Sequence, residues 1–198
     1  ESEVKEDDIA YIKLSQFTER AYRQVEDALE DLDVNNRSGL IFDLRGNPGG
    51  LLRSAVDIGS MFIKDGVLVY EAFGDGSEEV LSVTGNHADV QVPIVVLIDE
   101  NSASASELVA GAMKDYGIAT LVGETTYGKG TVQRIRSLSN GGALRLTEAR
   151  YLLPSREWIH EVGVEPDIAI EFDLTEADTD DDPQLDAAIN YLSGVIQR

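Results

Sequence analysis

The sequence predicts an α/β fold, and three observations carry that prediction. Two apolar runs, Gly39 to Leu44 and Val92 to Ile98, each pass through a turn into an amphipathic helix, making strand–turn–helix units over 39–63 and 92–116. Units of this kind lay crossover helices on a sheet. The 198 residues suffice for one domain with its own core. There is no solenoid-type repeat to suggest another architecture.

Taken in order, the chain opens with Glu1 to Asp8, acidic and expected to fray. Ala10 to Leu14 alternates as a strand does. Over Thr18 to Leu32 the apolar residues Ala21, Val25, Ala28, Leu29 and Leu32 fall on one helical stripe. Gly39 to Leu44 is a nearly continuous apolar run, the pattern of a buried strand. It ends in the turn cluster Arg45 to Gly50. Leu51 to Ile63 reads as a second helix, with Leu52, Val56, Gly59 and Ile63 along one side. Val67 to Ala72 and Glu79 to Val83 are weaker strands about a Gly74-Asp75-Gly76 turn. The most apolar strand, Val92 to Ile98, leads into a helix from about Ala105 to Tyr116. Leu108, Val109, Ala112 and Met113 give it a buried face, and Gly117 stops it. Thr120 to Gly123 is another strand. Thr131 to Leu138 and Ala143 to Leu153 flank an Asn140-Gly141 turn and read as a hairpin. Glu171 to Asp182 reads as an acidic linker, and Asp182-Pro183 opens a final helix over 183–197. Its packing stripe is Leu185, Ala188, Ile189, Leu192, Val195 and Ile196.

The net charge is −21, which argues against nucleic acid or an anionic membrane as the main partner. With no cysteine there is neither a disulfide nor a thiolate nucleophile. His87 and His160 are too few and too far apart to suggest a metal cluster, and both read as surface or loop residues. No apolar run approaches the length of a membrane span. The start, ESEVKEDD, reads as the edge of a fragment of a longer protein.

The candidate chemistry lies between Asn101 and Gln133. Ser104 stands where a strand turns into a helix, so N–H groups without intrahelical partners surround it. A serine placed there can attack a carbonyl and leave the oxyanion on the N–H of Ala105. The same stretch, Ser104-Ala105-Ser106-Glu107, fits a capping box, and a serine before a helix is commonly no more than a cap. Ser102 and Ser106 are the neighbours that can be mistaken for the nucleophile. Lys129 lies in a glycine-flanked turn 25 residues later. It can serve as base only if kept neutral, and burial away from carboxylates is the available means. The alternatives are a solvated surface lysine, or a phosphate loop, whose G-x-x-x-x-G-K-[ST] spacing is absent. Gln133 falls on the strand face of Thr131 and Lys129, where its amide oxygen can orient the lysine. Gly49 and Gly50 open the other helix, and a bare glycine N–H there can be the second oxyanion donor. Asp43 and Arg45 are placed to pair close by.

These residues resemble a known family. DLRGNPGG at 43–50, NSASASE at 101–107, GETTYGKGTVQ at 123–133 and GVEPDI at 163–168 are similar to motifs of the carboxy-terminal processing peptidases, or tail-specific proteases. The resemblance covers essentially the whole chain, and four motifs in order make it specific. It implies a crotonase-like, ClpP-like mixed α/β fold in one domain and a serine protease with a Ser-Lys pair. By position, Ser104 matches the nucleophile, Lys129 the general base and Gln133 the residue supporting it. Ala105 and either Gly49 or Gly50 match the oxyanion donors. The resemblance implies no cofactor or metal, and an extended or unfolded polypeptide as substrate. It implies a PDZ domain upstream in the same full-length chain and an extracytoplasmic setting: periplasm, cell envelope or chloroplast lumen. It is compatible with a homo-oligomer. At Tyr151 to Glu157 the family's threonine before the proline and glycine after the serine are replaced, away from the catalytic positions. Two other function classes stay open: an inactive peptide-binding pseudoprotease, and a crotonase-like acyl-transfer enzyme.

Overall fold

The strands and helices form where apolar periodicity and turn chemistry place them, and the computed structural model describes residues 1–171 and 182–196 of the chain. Among the described residues, ten strands fall into two sheets. The larger has the order β1-β2-β3-β6-β7-β10, made of Ser2–Lys5, Ile9–Lys13, Gly39–Asp43, Ile94–Ile98, Ala119–Gly123 and Ile168–Ala169. All its pairs are parallel except β1 with β2. The smaller sheet is antiparallel, in the order β5-β4-β9-β8, from Glu78–Ser82, Val67–Phe73, Ala143–Leu152 and Thr131–Ser137.

Helices cover both faces of the larger sheet, which is why its central strands β3 and β6 are buried at every position. On one face Ala10, Ile12, Leu40, Phe42, Val96 and Leu121 join the core beneath α1 (Ala21–Asp31), α2 (Leu52–Phe62) and α3 (Ala105–Asp115). On the other, Ile9, Tyr11, Ile41, Val95, Leu97 and Val122 meet Ala188, Ile189 and Leu192 of α4 (Pro183–Ile196). The Asp182 carboxylate caps α4 by accepting from Leu185 N–H at 3.0 Å. A buried network ties this end to the sheet. Arg45 bonds both Asp43, at 2.7 Å, and Asp182, at 2.8 Å, while Tyr11 Oη–H donates to Asp43 at 2.7 Å.

Four expectations need correction or extension. The N-terminus does not fray: Ser2 to Lys5 pairs with Ile12 to Ile9 and extends the sheet past β2. The first helix begins at Ala21 rather than Thr18, because Phe17 is held extended against the glycine turn. Phe17 N–H donates to Gly49 O at 2.9 Å, and Leu51 N–H to Phe17 O at 2.8 Å. The single sheet is two, and β10 is too short to leave a periodic signal. The acidic stretch expected as a linker lies, apart from Glu171 and Asp182, outside the described residues.

Candidate active site

The turn at 47–50 and the start of α3 are laced together. Ala103 N–H and Ser106 Oγ–H both donate to Asn47 O, at 3.0 and 2.9 Å. Buried Asn47 uses its side chain twice, donating to Leu14 O at 2.7 Å and accepting from Gly49 N–H at 2.9 Å. Gly49 packs so tightly that a Cβ there would sit 2.6 Å from Ala103 O and 2.8 Å from Ala105 N. Only glycine fits. The Gly49 N–H is thus consumed within the turn. Gly50 N–H has no partner among the described residues, and neither does Ala105 N–H at the first position of α3. Of the two glycines, Gly50 is therefore the one with a donor to offer.

Three serines alternate here, and their surroundings differ. Ser102 is fully buried, its hydroxyl shared between Leu44 O, at 2.8 Å, and Asp99. Ser106 is fully buried on Asn47 O. Ser104 is half-buried and donates no side-chain hydrogen bond among the described residues. Its backbone, at φ 55 and ψ −115, lies in a region L-residues rarely occupy. Such conformations cost on the order of 1–3 kcal/mol and persist only where surrounding contacts impose them.

Those contacts centre on Glu107, which is fully buried. Its Oε2 accepts from Ser104 N–H at 2.7 Å and from Lys129 N–H at 2.9 Å. Its Oε1 accepts from Thr126 Oγ1–H and Gly128 N–H, both at 2.6 Å. One carboxylate thus gathers the backbones of Ser104 and Lys129 onto a single oxygen. The S-x-x-E pattern signalled the contact to Ser104, as a capping box; nothing local signalled the other three. The lysine turn is tied in further by Tyr127 N–H on Ser102 O at 3.0 Å and by Val164 N–H on Thr126 Oγ1 at 2.7 Å.

Lys129 itself does not meet the expectation of burial. Its side chain is exposed, and its ammonium makes no hydrogen bond or ion pair among the described residues, with Ser104 or with Gln133. Gln133 is also exposed, beside a β-bulge in the β8–β9 pairing. The structure therefore brings Ser104, Ala105, Gly50 and the Lys129 backbone together, and leaves the Lys129 and Gln133 side chains free. His160, read from the sequence as a surface or loop residue, lies in a turn and is half-buried, with Nδ1 3.2 Å from Gly128 O.

The family model for peptidase family S41 matches residues 8–170. The chain belongs to peptidase family S41. Among S41 relatives, it is 40% identical over 189 residues to the carboxyl-terminal-processing protease of Synechocystis sp. (strain ATCC 27184 / PCC 6803 / Kazusa), covering 94% of this chain and 44% of that protein. It is 37% identical over 195 residues to the carboxy-terminal processing protease CtpA of Bacillus subtilis (strain 168), covering 98% of this chain and 41% of that one. The solved photosystem II D1 C-terminal processing protease superposes with a TM-score of 0.77 at 36% identity, over 82% of this chain and 42% of that structure. The chain spans less than half the length of these relatives. The mixed α/β architecture is that of the S41 proteases.

Proposed function

We propose that this chain is the catalytic unit of a serine endopeptidase that cleaves extended or unfolded polypeptides, including C-terminally tagged ones, by a Ser-Lys mechanism. One observation carries the reading. A strained, half-buried Ser104 stands beside two backbone donors without partners, Ala105 N–H and Gly50 N–H. That is the arrangement an acyl-transfer nucleophile with an oxyanion hole requires. Lys129, deprotonated, takes the hydroxyl proton as Ser104 Oγ attacks the scissile carbonyl carbon. The carbonyl oxygen becomes the oxyanion and is held by the two N–H groups. Collapse breaks the C–N bond, and Lys129 passes its proton to the leaving amine. Lys129 then accepts a proton from the water that hydrolyses the acyl ester, restoring the serine. Gln133 is assigned to support the lysine on family resemblance alone. No metal or organic cofactor takes part.

The substrate has a place to bind. Strand β8 begins just past Lys129 and is an edge of the smaller sheet, so an extended peptide can add to it as a further strand. The bound chain then covers Lys129 and removes water from it, the condition under which an amine is held neutral. A PDZ domain in the same full-length chain and an extracytoplasmic setting accompany this reading on family resemblance.

The unengaged Lys129 ammonium favours one rival, a peptide-binding pseudoprotease. A fluorophosphonate probe separates the two, since only an activated serine is labelled. The expected result is labelling at Ser104 and hydrolysis of casein, with both lost in Ser104→Ala. Lys129→Arg is expected to be inactive although it keeps the charge, because a guanidinium does not give up its proton. Casein hydrolysis at the wild-type rate by Ser104→Ala or Lys129→Arg refutes the mechanism.

A further inference from the structure

The Lys129 ammonium makes no hydrogen bond or ion pair among the described residues, so the hydrogen bonds that fix this residue are those of the backbone. That backbone is flanked by two glycines, one of them, Gly128, at φ +84. Glycine is free to adopt many conformations, so something outside the turn must choose one. On one side this is Glu107, through Gly128 N–H and Lys129 N–H. On the other side lies the segment 158–163.

The carbonyls on either side of Lys129 each receive two donors. Gly128 O accepts from Glu161 N–H at 2.9 Å and lies 3.2 Å from His160 Nδ1. Gly130 O accepts from Tyr151 N–H at 3.0 Å and from Trp158 Nε1–H at 2.9 Å. In each case one donor is a backbone amide and the other a ring N–H, filling both lone pairs of the carbonyl. Donation from His160 to Gly128 O requires the tautomer with its hydrogen on Nδ1. The two rings support each other, with centroids 5.3 Å apart and planes tilted by 35°. The Arg150 guanidinium lies 4.2 Å from the Trp158 ring centroid, within cation–π range. The fit is close on the glycine side too, because a Cβ on Gly130 would stand 2.6 Å from His160 N.

We infer that Trp158 and His160 form a ring clamp that positions Lys129 for its work as base. Neither ring is a catalytic residue; both act through the peptide groups around the lysine. The inference rests on Lys129 being the base, and its test is built so that the two can fail separately.

The test uses four variants of the full chain and a fluorogenic peptide. Trp158→Phe keeps an aromatic ring but removes the N–H together with the second ring of the indole. His160→Ala removes the second ring. His160→Asn restores a side-chain N–H near the position of Nδ1. Lys129→Ala is the control. Trp158→Phe and His160→Ala are expected to lower kcat by on the order of 10- to 100-fold, the effect of an ångström-scale misplacement, while KM changes less than about twofold. The pH profile of kcat/KM should move in both relative to the wild type, and His160→Asn should recover most of the lost kcat. Trp158 is the only tryptophan of the chain, so its fluorescence should also change in His160→Ala. An inactive Lys129→Ala beside Trp158→Phe and His160→Ala enzymes with wild-type kcat and pH profile overturns the clamp alone. So does a His160→Asn enzyme as impaired as His160→Ala, or lower melting temperatures with an unmoved pH profile. A Lys129→Ala enzyme with wild-type activity overturns the base assignment, and the clamp with it.

Discussion

Glu107 shows how much can rest on one side chain. It is fully buried, 22 residues from Lys129 in sequence, and accepts from four donors contributed by Ser104, Thr126, Gly128 and Lys129. Changing it to glutamine converts one acceptor oxygen into a donor NH₂ group facing two donors. Each donor left unsatisfied in the interior costs about 1–3 kcal/mol. Glu107→Gln is therefore expected to unfold at lower denaturant and to lose most peptide cleavage, since the backbones of Ser104 and Lys129 lose their common anchor. Equilibrium unfolding and cleavage assays on the same preparation check both, and wild-type values in both disprove the role. Ser102 and Ser106 differ from Ser104 in the same terms: each hydroxyl has structural work in the interior, whereas the Ser104 hydroxyl is left free to donate.

At the scale of elements, the smaller sheet contains a charge it would be more stable without. Glu71 on β4 is buried, and in the register it faces Glu79 on β5 and Tyr151 on β9. Burial, and after it the charge of Glu79, raises the Glu71 carboxyl above its ordinary value. Tyr151 beside it is pushed up to about 12, by burial and then by the Glu71 charge. For a carboxyl raised in the folded state, stability is greatest below its unfolded value and falls as pH rises through the folded one. Above its folded value, the ionised Glu71 is thus a net cost. Glu71→Gln is expected to raise the melting temperature at pH 7, with the gain vanishing below about 4.3, where the glutamate is protonated folded and unfolded alike. Melting curves across that range check it, and a gain that persists in acid rules this account out.

At the scale of this chain as a whole, a net charge of −21 bears on the polypeptide substrates proposed for it. Unfolded polypeptides of opposite charge are steered inward and acidic ones repelled, over a distance set by salt. For two unfolded substrates of equal length and the same cleavage site, the basic one is expected to show the larger kcat/KM at low salt, by on the order of tenfold. The difference should shrink as salt is added. A preference that salt does not change would point to local contacts instead of the overall field.

The sequence by itself determined the elements and the chemical cast. The apolar runs at 39–44 and 92–98, the stripes of the four helices and the Asn140-Gly141 turn are local patterns. Each records which face of its own element meets water, so each is legible without its neighbours. The four motifs singled out Ser104, Lys129 and Gln133 as candidates, and Gly49 or Gly50 as the candidate second oxyanion donor. Only the tertiary structure shows that Asn47 turns back to take the Gly49 N–H, while the Gly50 N–H has no partner among the described residues. It also decided that Glu1 to Asp8 pairs instead of fraying, that Lys129 stands open to water, and that Glu107, Trp158 and His160 converge on its turn. These are matters of hydrogen-bond partnership between segments distant in the chain. A donor's partner is chosen when the elements pack, and no periodicity within either segment records the choice.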